Sequence, residues 1–384
     1  MRVVVLGVGR VGSAMVMDLA RGGGFEITAV DAHAQAVERV AGVGGVRTVT
    51  ADLRDPARVR DIAAEHDLVV GAVPGSMGLA TVRAAIEARR PVVDISFFPE
   101  DAFLLDEAAR SADVPVFVDC GVAPGCSNLI FGRLRAQFAP LERFACYVGG
   151  LPVERRWPWE YKAPFSPADV LEEYTRPARF VAHGGVVTVP ALGDVEPVEV
   201  AGLGTIEAFV TDGLRTLLRC TDVGEMVEKT MRYPGHAELM RVLREAGFLA
   251  TTPVRVGGVN VAPRDLTSQL LFPAWELAPG EEDITVMRVV GEGTHAGRRQ
   301  VVTFDLFDRY DRASGTTSMA RTTGYTCTAV VRMLAAGLFG GSGVIPLEVV
   351  GPDERAYGFI MRELAARGIV FTESWRDAEG AGPL

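Results

Sequence analysis

The 384-residue sequence has no apolar run of 18 residues, so no membrane-spanning helix is expected. Cysteine is scarce and odd in number, with five residues and no CxxC pair. A disulfide framework and a zinc ribbon are therefore excluded, and Cys120, Cys126, Cys146, Cys220 and Cys327 read as free, mostly buried thiols. The five histidines are scattered and none has a partner four residues on, so a metal site has no support. Lys and Arg number 39 against 49 Asp and Glu, a formal net charge of −10. No basic stripe offsets this excess, which argues against a nucleic-acid partner. Internal repeats and low-complexity segments are missing too. The first strand-like run starts at residue 2 or 3, leaving no room for a signal peptide and pointing to the cytoplasm.

What is there is an ordinary globular composition, 48% hydrophobic and 23% charged, long enough for two domains. The stretch VVVLGVGRVGSAMVMDLARGGGFEITAVDAHAQAV, Val3 to Val37, carries the strongest signal. Val3–Leu6 is a continuous apolar run, as a strand buried on both faces would be. The glycines Gly7, Gly9 and Gly12 follow, and Ser13–Ala20 has helix formers with an apolar stripe. A second β-prone run, Ile27–Val30, ends in Asp31. Glycines between a strand and a helix, with an acid closing the next strand, form the context of a dinucleotide site. Gly7 permits the tight turn, Gly9 lets backbone approach a pyrophosphate, and Gly12 lets helix and sheet pack closely, with Arg10 and Val11 between them. The N–H groups and dipole of the helix start favour the anion. Asp31 would accept from the ribose hydroxyls and repel a 2′-phosphate, and Ala32-His33 offers no cation to receive one. NAD is expected over NADP.

The alternation continues with strands at 46–50, 68–73, 91–96 and 114–118 and helices at 56–66, 78–89 and 100–112. This pattern predicts an α/β doubly wound parallel sheet of the Rossmann type, with ligands beyond its C-terminal strand ends. Those ends carry Asp52, Leu53, Val73, Pro74, Phe97, Asp119 and Gly121. After Gly125 the strand-like runs lengthen: 144–147, 186–189, 198–201, 254–259, 285–290 and 299–306. A second, α+β mixed-sheet substrate domain is expected, with a helix at about 238–246 and a loop from Pro263 to Asp283. A long apolar helix from Ser318 through Ala336, a helix at about 353–367 and a short strand at 369–372 close the chain. The C-terminal helices are expected to return to the first domain. The domains are then 1–122 plus 320–384 for the cofactor and 123–319 for substrate and dimerisation, the sheet-rich part offering a homodimer or higher homo-oligomer face.

The segment Asp119–Asn128, DCGVAPGCSN, resembles the G-x-x-P-G segment of the saccharopine dehydrogenase family. Gly149–Pro152, Tyr161-Lys162, Tyr174–Pro177, Gly204–Phe209 and Lys229–His236 look like further family segments in the same order, and with the N-terminal fingerprint they cover most of the chain. Within the family, the length and the segment EEYTRPARF look most like lysine 6-dehydrogenases, whereas Arg155–Trp159, RRWPW, matches no family segment. The resemblance implies NAD-linked oxidation of the lysine ε-amine, the product closing to piperideine-6-carboxylate. Two alternatives stay open: a saccharopine dehydrogenase, and a non-redox NAD-binding transferase or regulator.

Amine oxidation requires a neutral amine, yet a lysine ammonium has a pKa near ~10.4. A base or a desolvated, positively charged pocket must therefore remove a proton. Tyr161 and Lys162 are the first candidates, each against the alternative of plain packing or a solvated charge. Asp119, at a strand end beside the cleft, is a candidate to hold the amine or to cap the following helix. Arg176 and Arg232 are candidates for the substrate carboxylate, which a guanidinium matches bidentately. His236 is a candidate to bind substrate or cap a helix, and Thr205 joins the substrate-binding set. Cys120 and Cys126 read as small packing residues near the cleft.

Overall fold

The computed structural model describes residues 1–163 and 165–378. Along the first third run six strands: β1 (Arg2–Leu6), β2 (Glu26–Asp31), β3 (Val46–Thr50), β4 (Leu68–Gly71), β5 (Val92–Asp94) and β6 (Pro115–Val118). The middle holds β7 (Leu141–Pro152), β8 (Ala178–Ala182), β9 (Gly185–Val189), β10 (Glu196–Val200), β11 (Gly204–Val210) and β12 (Glu225–Arg232). There follow β13 (Val254–Val256), β14 (Val259–Val261), β15 (Asp283–His295), β16 (Arg298–Arg309), β17 (Gly343–Pro346) and β18 (Phe371–Asp377).

The first sheet is parallel throughout in the order β17-β6-β5-β4-β1-β2-β3, as the doubly wound expectation required. The continuous apolar run of β1 has a direct cause. Val3 and Val5 pack with Met15 and Leu19 of the helix Arg10–Gly22 and with Val330 of the helix Ser318–Ala335. Val4 and Leu6 face the opposite core with Val59 and Val82. A strand covered on both faces has no polar side to alternate with. The chain order reverses between β1 and β4, and that is where a crevice opens beyond the strand ends.

The second sheet is mixed, in the order β10-β11-β12-β7-β15-β16-β18, with β8 also on β12 and only β7 and β12 parallel among the paired neighbours. Three expectations change here. The presumed loop from Pro263 holds a 13-residue helix, Pro263–Trp275, whose Thr267, Leu271 and Trp275 are buried at i, i+4 and i+8. Pro273 sits inside it, and that residue masked the helical period. The run 254–259 is a hairpin, β13 to β14, because Gly257 and Gly258 both take positive φ and turn the chain. The third concerns 320–384, assigned as a whole to the first domain. Its β17 does join the first sheet, beside β6, but β18 pairs with β16 in the second; residues 379–384 lie outside the described residues.

The helix Ser318–Ala335 lies against the helix Arg10–Gly22, and Arg332 and Arg367 close on Asp18 at 2.7 and 2.6 Å. No helix among the described residues is long and apolar enough to cross a membrane.

Candidate active site

A cavity of about 730 Å³ lies between the C-terminal ends of the first sheet and one face of the second. Its first-domain wall contains Gly7, Gly9, Arg10, Val11, Gly12, Asp31, Asp52, Leu53, Val73, Pro74, Phe97 and Gly121, so the structure brings the whole expected cofactor set to one cleft. Gly7 has φ +96°, and a Cβ at Gly12 would stand 2.0 Å from the Gly7 carbonyl oxygen. A Cβ at Gly9 would meet nothing within 4 Å beyond its chain neighbours, so the backbone there is open to the cleft. The helix starting at Arg10 has no side-chain cap and no acid in its first turn. Its leading N–H groups are thus left for an anion, and the residues present fit a bound dinucleotide.

At the far end of this wall Asp31 accepts from the N–H of Val8 at 2.8 Å and of His33 at 2.9 Å, which fixes its carboxylate at the strand end. Asp52 is held by Arg54 through both carboxylate oxygens. Arg10 turns away from the glycines toward the second domain, donating to the Leu277 carbonyl at 3.1 Å.

The opposite wall comes from the helix Pro167–Thr175, from β7 and β12, and from Thr211–Gly213 just after β11. Asp169, Glu172, Glu173 and Arg176 reach the cleft from one helix face, as spacings of three and four dictate. Ser166 caps that helix. The Arg176 guanidinium lies over the Phe97 ring at 5.3 Å, 3.7 Å from Glu172, and its Nη1 is buried with no hydrogen-bond partner. The residue expected to meet a carboxylate thus has an unbonded nitrogen at the cleft.

Other expected residues are placed differently. Lys162 does not line the cavity; its Nζ donates to the Glu276 carbonyl at 2.8 Å and pairs with Glu281 at 3.3 Å. Tyr161 does line it, and its Oη has no partner of hydrogen-bonding geometry, with Arg232 over its ring at 4.6 Å. Burial holds its phenol well above the usual tyrosine range, Arg232 opposing, so it stays neutral in the structure.

Arg232 has a protein partner on each of its three nitrogens, Nη2 on Glu173 at 2.6 Å, Nε on Tyr174 Oη at 3.3 Å and Nη1 on the Met231 carbonyl at 2.9 Å. His236 is the first helical residue after Gly235, but its ring bridges the Trp159 carbonyl and Tyr174 Oη, both at 2.9 Å, away from the cleft. Burial, with Arg232 nearby, lowers it to about 3, so it is neutral. Thr205 is exposed on β11, bonded to Glu199 outside the cavity. Asp119 neither caps a helix nor stands free for an amine, because Arg215 pairs with both its oxygens at 3.2 and 3.3 Å. Cys120 and Cys126 are buried thiols pushed up by desolvation, Cys126 to about 12, as packing residues would be.

Two residues escaped the sequence reading. Arg215, 4% exposed, also donates to the Phe98 carbonyl at 2.6 Å and so fastens the second domain to the strand ends of the first. Glu228 lines the cavity from β12, and burial raises its carboxyl to about 8. The available signal was the alternation in EMVEKTMR: Met226, Glu228, Thr230 and Arg232 share one strand face, a carboxyl among residues that are buried.

Comparison with known proteins identifies the lineage. The model of the saccharopine dehydrogenase NADP binding domain matches residues 3–117, and that of the saccharopine dehydrogenase C-terminal domain matches 121–369. The chain belongs to the saccharopine dehydrogenase family. Mitochondrial alpha-aminoadipic semialdehyde synthase of Mus musculus is 23% identical over 96% of this chain and 47% of its own length. Saccharopine dehydrogenase [NADP(+), L-glutamate-forming] of Pyricularia oryzae is 25% identical over 65% of this chain and 58% of its own length. The chain thus spans about half the length of the curated relatives it matches. The apo saccharopine dehydrogenase (L-Glu forming) of Saccharomyces cerevisiae shares the fold, with a TM-score of 0.79 at 20% identity, covering 98% of this chain and 99% of that one.

Proposed function

We propose that the protein oxidises the ε-amine of L-lysine with NAD, the product closing to piperideine-6-carboxylate. The observation that carries this reading is the charge inventory at the substrate end of the cleft. Asp169, Glu172, Glu173 and Glu228 line it against Arg176 and Arg232, and every guanidinium nitrogen of Arg232 already bonds a protein partner. One guanidinium with an unbonded nitrogen, that of Arg176, suits one carboxylate, and the surrounding acids suit ammonium groups. Saccharopine, an adduct of lysine with a dicarboxylate, needs further cations at that end. The second reading, a saccharopine dehydrogenase, draws on the printed names of the relatives. Bound NAD supplies the acceptor for the hydride leaving the amine-bearing carbon. The chain's own part is to seat the carboxylate on Arg176, offer the neutral Tyr161 phenol as a hydrogen-bonding group, and relieve the ammonium of a proton. Val73, Pro74, Phe97 and Gly121 would flank the nicotinamide, and Gly7–Gly12 the pyrophosphate.

For the nucleotide, the fixed Asp31 carboxylate supports NAD, since it accepts from ribose hydroxyls and repels a 2′-phosphate. Arg54, at the same end, is engaged by Asp52. Reduced nucleotide should form from L-lysine with NAD faster than with NADP, and saccharopine should be a poor substrate. The double substitution Asp31→Ser and Ala32→Arg should move the preference toward NADP. Turnover of saccharopine without lysine activity would favour the second reading; nucleotide binding with no reduction by any amine would favour a non-redox role.

A further inference from the structure

We infer that Glu228 is the group that takes the proton from the substrate ammonium, an assignment that rests on the amine oxidation proposed above. It presents a carboxyl to the cleft from β12, flanked on the same strand face by Thr230 and Arg232, which also line the cavity. The Thr211 hydroxyl donates to its Oε2, and Thr211 and Thr230 Oγ1 lie 2.8 Å apart. Gly213 leaves the space the carboxyl fills, for a Cβ there would stand 2.3 Å from Oε2.

The charged and titratable groups facing Glu228 are otherwise committed. Asp212 is paired with Arg179 at 2.7 and 2.8 Å, Glu173 with Arg232 at 2.6 Å, and Cys146, opposite on β7, is a buried thiol held protonated. Glu172 is taken by Arg264, and Asp119 by Arg215. Among the substrate-end carboxyls only Glu228 and Asp169 have no ion pair among the described residues, and Asp169 sits in the first turn of its helix beside the Ser166 cap. Glu228 is therefore a positioned carboxyl with no ion pair among the described residues. Burial, opposed by the Thr211 hydroxyl, raises it to about 8, where a base facing an ammonium is effective near neutral pH.

The step balances. Ionised Glu228 takes one proton from the ammonium; the freed lone pair forms C=N as the adjacent C–H bond breaks, and both electrons of that bond leave with the hydride to the nucleotide. Water adds to the iminium, nitrogen leaves as ammonium, and the Glu228 proton passes to solvent. The reactive carboxylate exists above about pH 8, so turnover falls as pH drops below that point. The raised pKa also has a consequence independent of catalysis. The folded protein keeps a proton that the unfolded chain releases at ordinary glutamate pH, so this group lowers stability as pH rises from about 4.3 toward 8.

The test is steady-state kinetics with L-lysine and NAD across pH on the wild type and on Glu228→Gln, Asp169→Asn and Thr211→Val, alongside melting temperatures and NAD binding. Glu228→Gln should lose about 10²–10⁴ in turnover and the acidic limb of the profile, with NAD affinity held. Its melting temperature should gain on the wild type as pH rises. Thr211→Val, lacking a donor to the carboxylate, should move the acidic limb up by about one pH unit. An active wild type with Glu228→Gln near full turnover and an unaltered profile, or with the limb lost in Asp169→Asn instead, overturns the assignment while leaving the lysine reading intact. A wild type that reduces nucleotide with no amine overturns both.

Discussion

An Arg176→Met variant should raise KM for L-lysine roughly 10- to 150-fold while NAD affinity stays put. Methionine keeps the apolar stem and removes the charged fork, together with its contact on the Phe97 ring. A hydrogen bond to a charged group contributes about 1.5–3 kcal/mol, which converts to that range. Arg176 follows the last turn of the helix Pro167–Thr175, its main-chain N–H held by the Glu172 carbonyl at 2.9 Å, so the backbone that presents it does not depend on the guanidinium. The unpartnered Nη1 makes the loss specific to ligand, since no protein hydrogen bond goes with it. The Glu172 interaction, at 3.7 Å and partly exposed, adds little. Kinetics at saturating NAD check this: KM should climb with kcat within a few-fold, the signature of binding lost equally in ground and transition states. An unchanged KM would remove Arg176 from the substrate site.

The first half of this architecture was readable because its physics is local. A strand buried on both faces must be apolar along its length, a dinucleotide turn must have glycine where Gly7 takes φ +96° and where Gly12 meets a carbonyl, and an acid must follow at the next strand end. Each of those demands is met within a few neighbouring residues. The substrate side is assembled from distant segments, and sequence order says little about which side chains converge. Tyr161 and Lys162 are adjacent, yet one faces the cleft and the other turns to Glu281. Arg232 and His236 looked like ligands because their residue types are ligands; the structure spends their polar atoms on Glu173, Tyr174 and Trp159. Arg215 lies in no motif that marks it in the sequence, and only the fold shows that Asp119, 96 positions earlier, is its partner.

That pair supports the last expectation. Replacing Arg215 by Met should cost about 3–5 kcal/mol of stability, because it leaves the Asp119 carboxylate buried without its partner. The two side chains are 4% and 2% exposed, so solvent does little to soften the loss. Asp94 nearby, pushed by burial to about 8 and further raised by Asp119, is drawn down by Arg215, so loss of the guanidinium raises it further. Arg215 also covers Phe97, at 4.7 Å from its ring, and donates to the Phe98 carbonyl, so the cleft wall at Phe97 loses its support as well. The double variant Asp119→Asn with Arg215→Met should recover part of the loss, since it removes the buried charge along with its partner, whereas two independent sites would simply add. Urea denaturation of the four proteins in this cycle measures the coupling. A purely structural pair would lower stability and leave the lysine KM unchanged in variants that remain folded; a pair that also holds Phe97 in place should raise it, since Arg176 rests on the other contact to that ring at 5.3 Å. Additive losses, with no coupling between the two positions, would show that the buried contact does not fasten the domains.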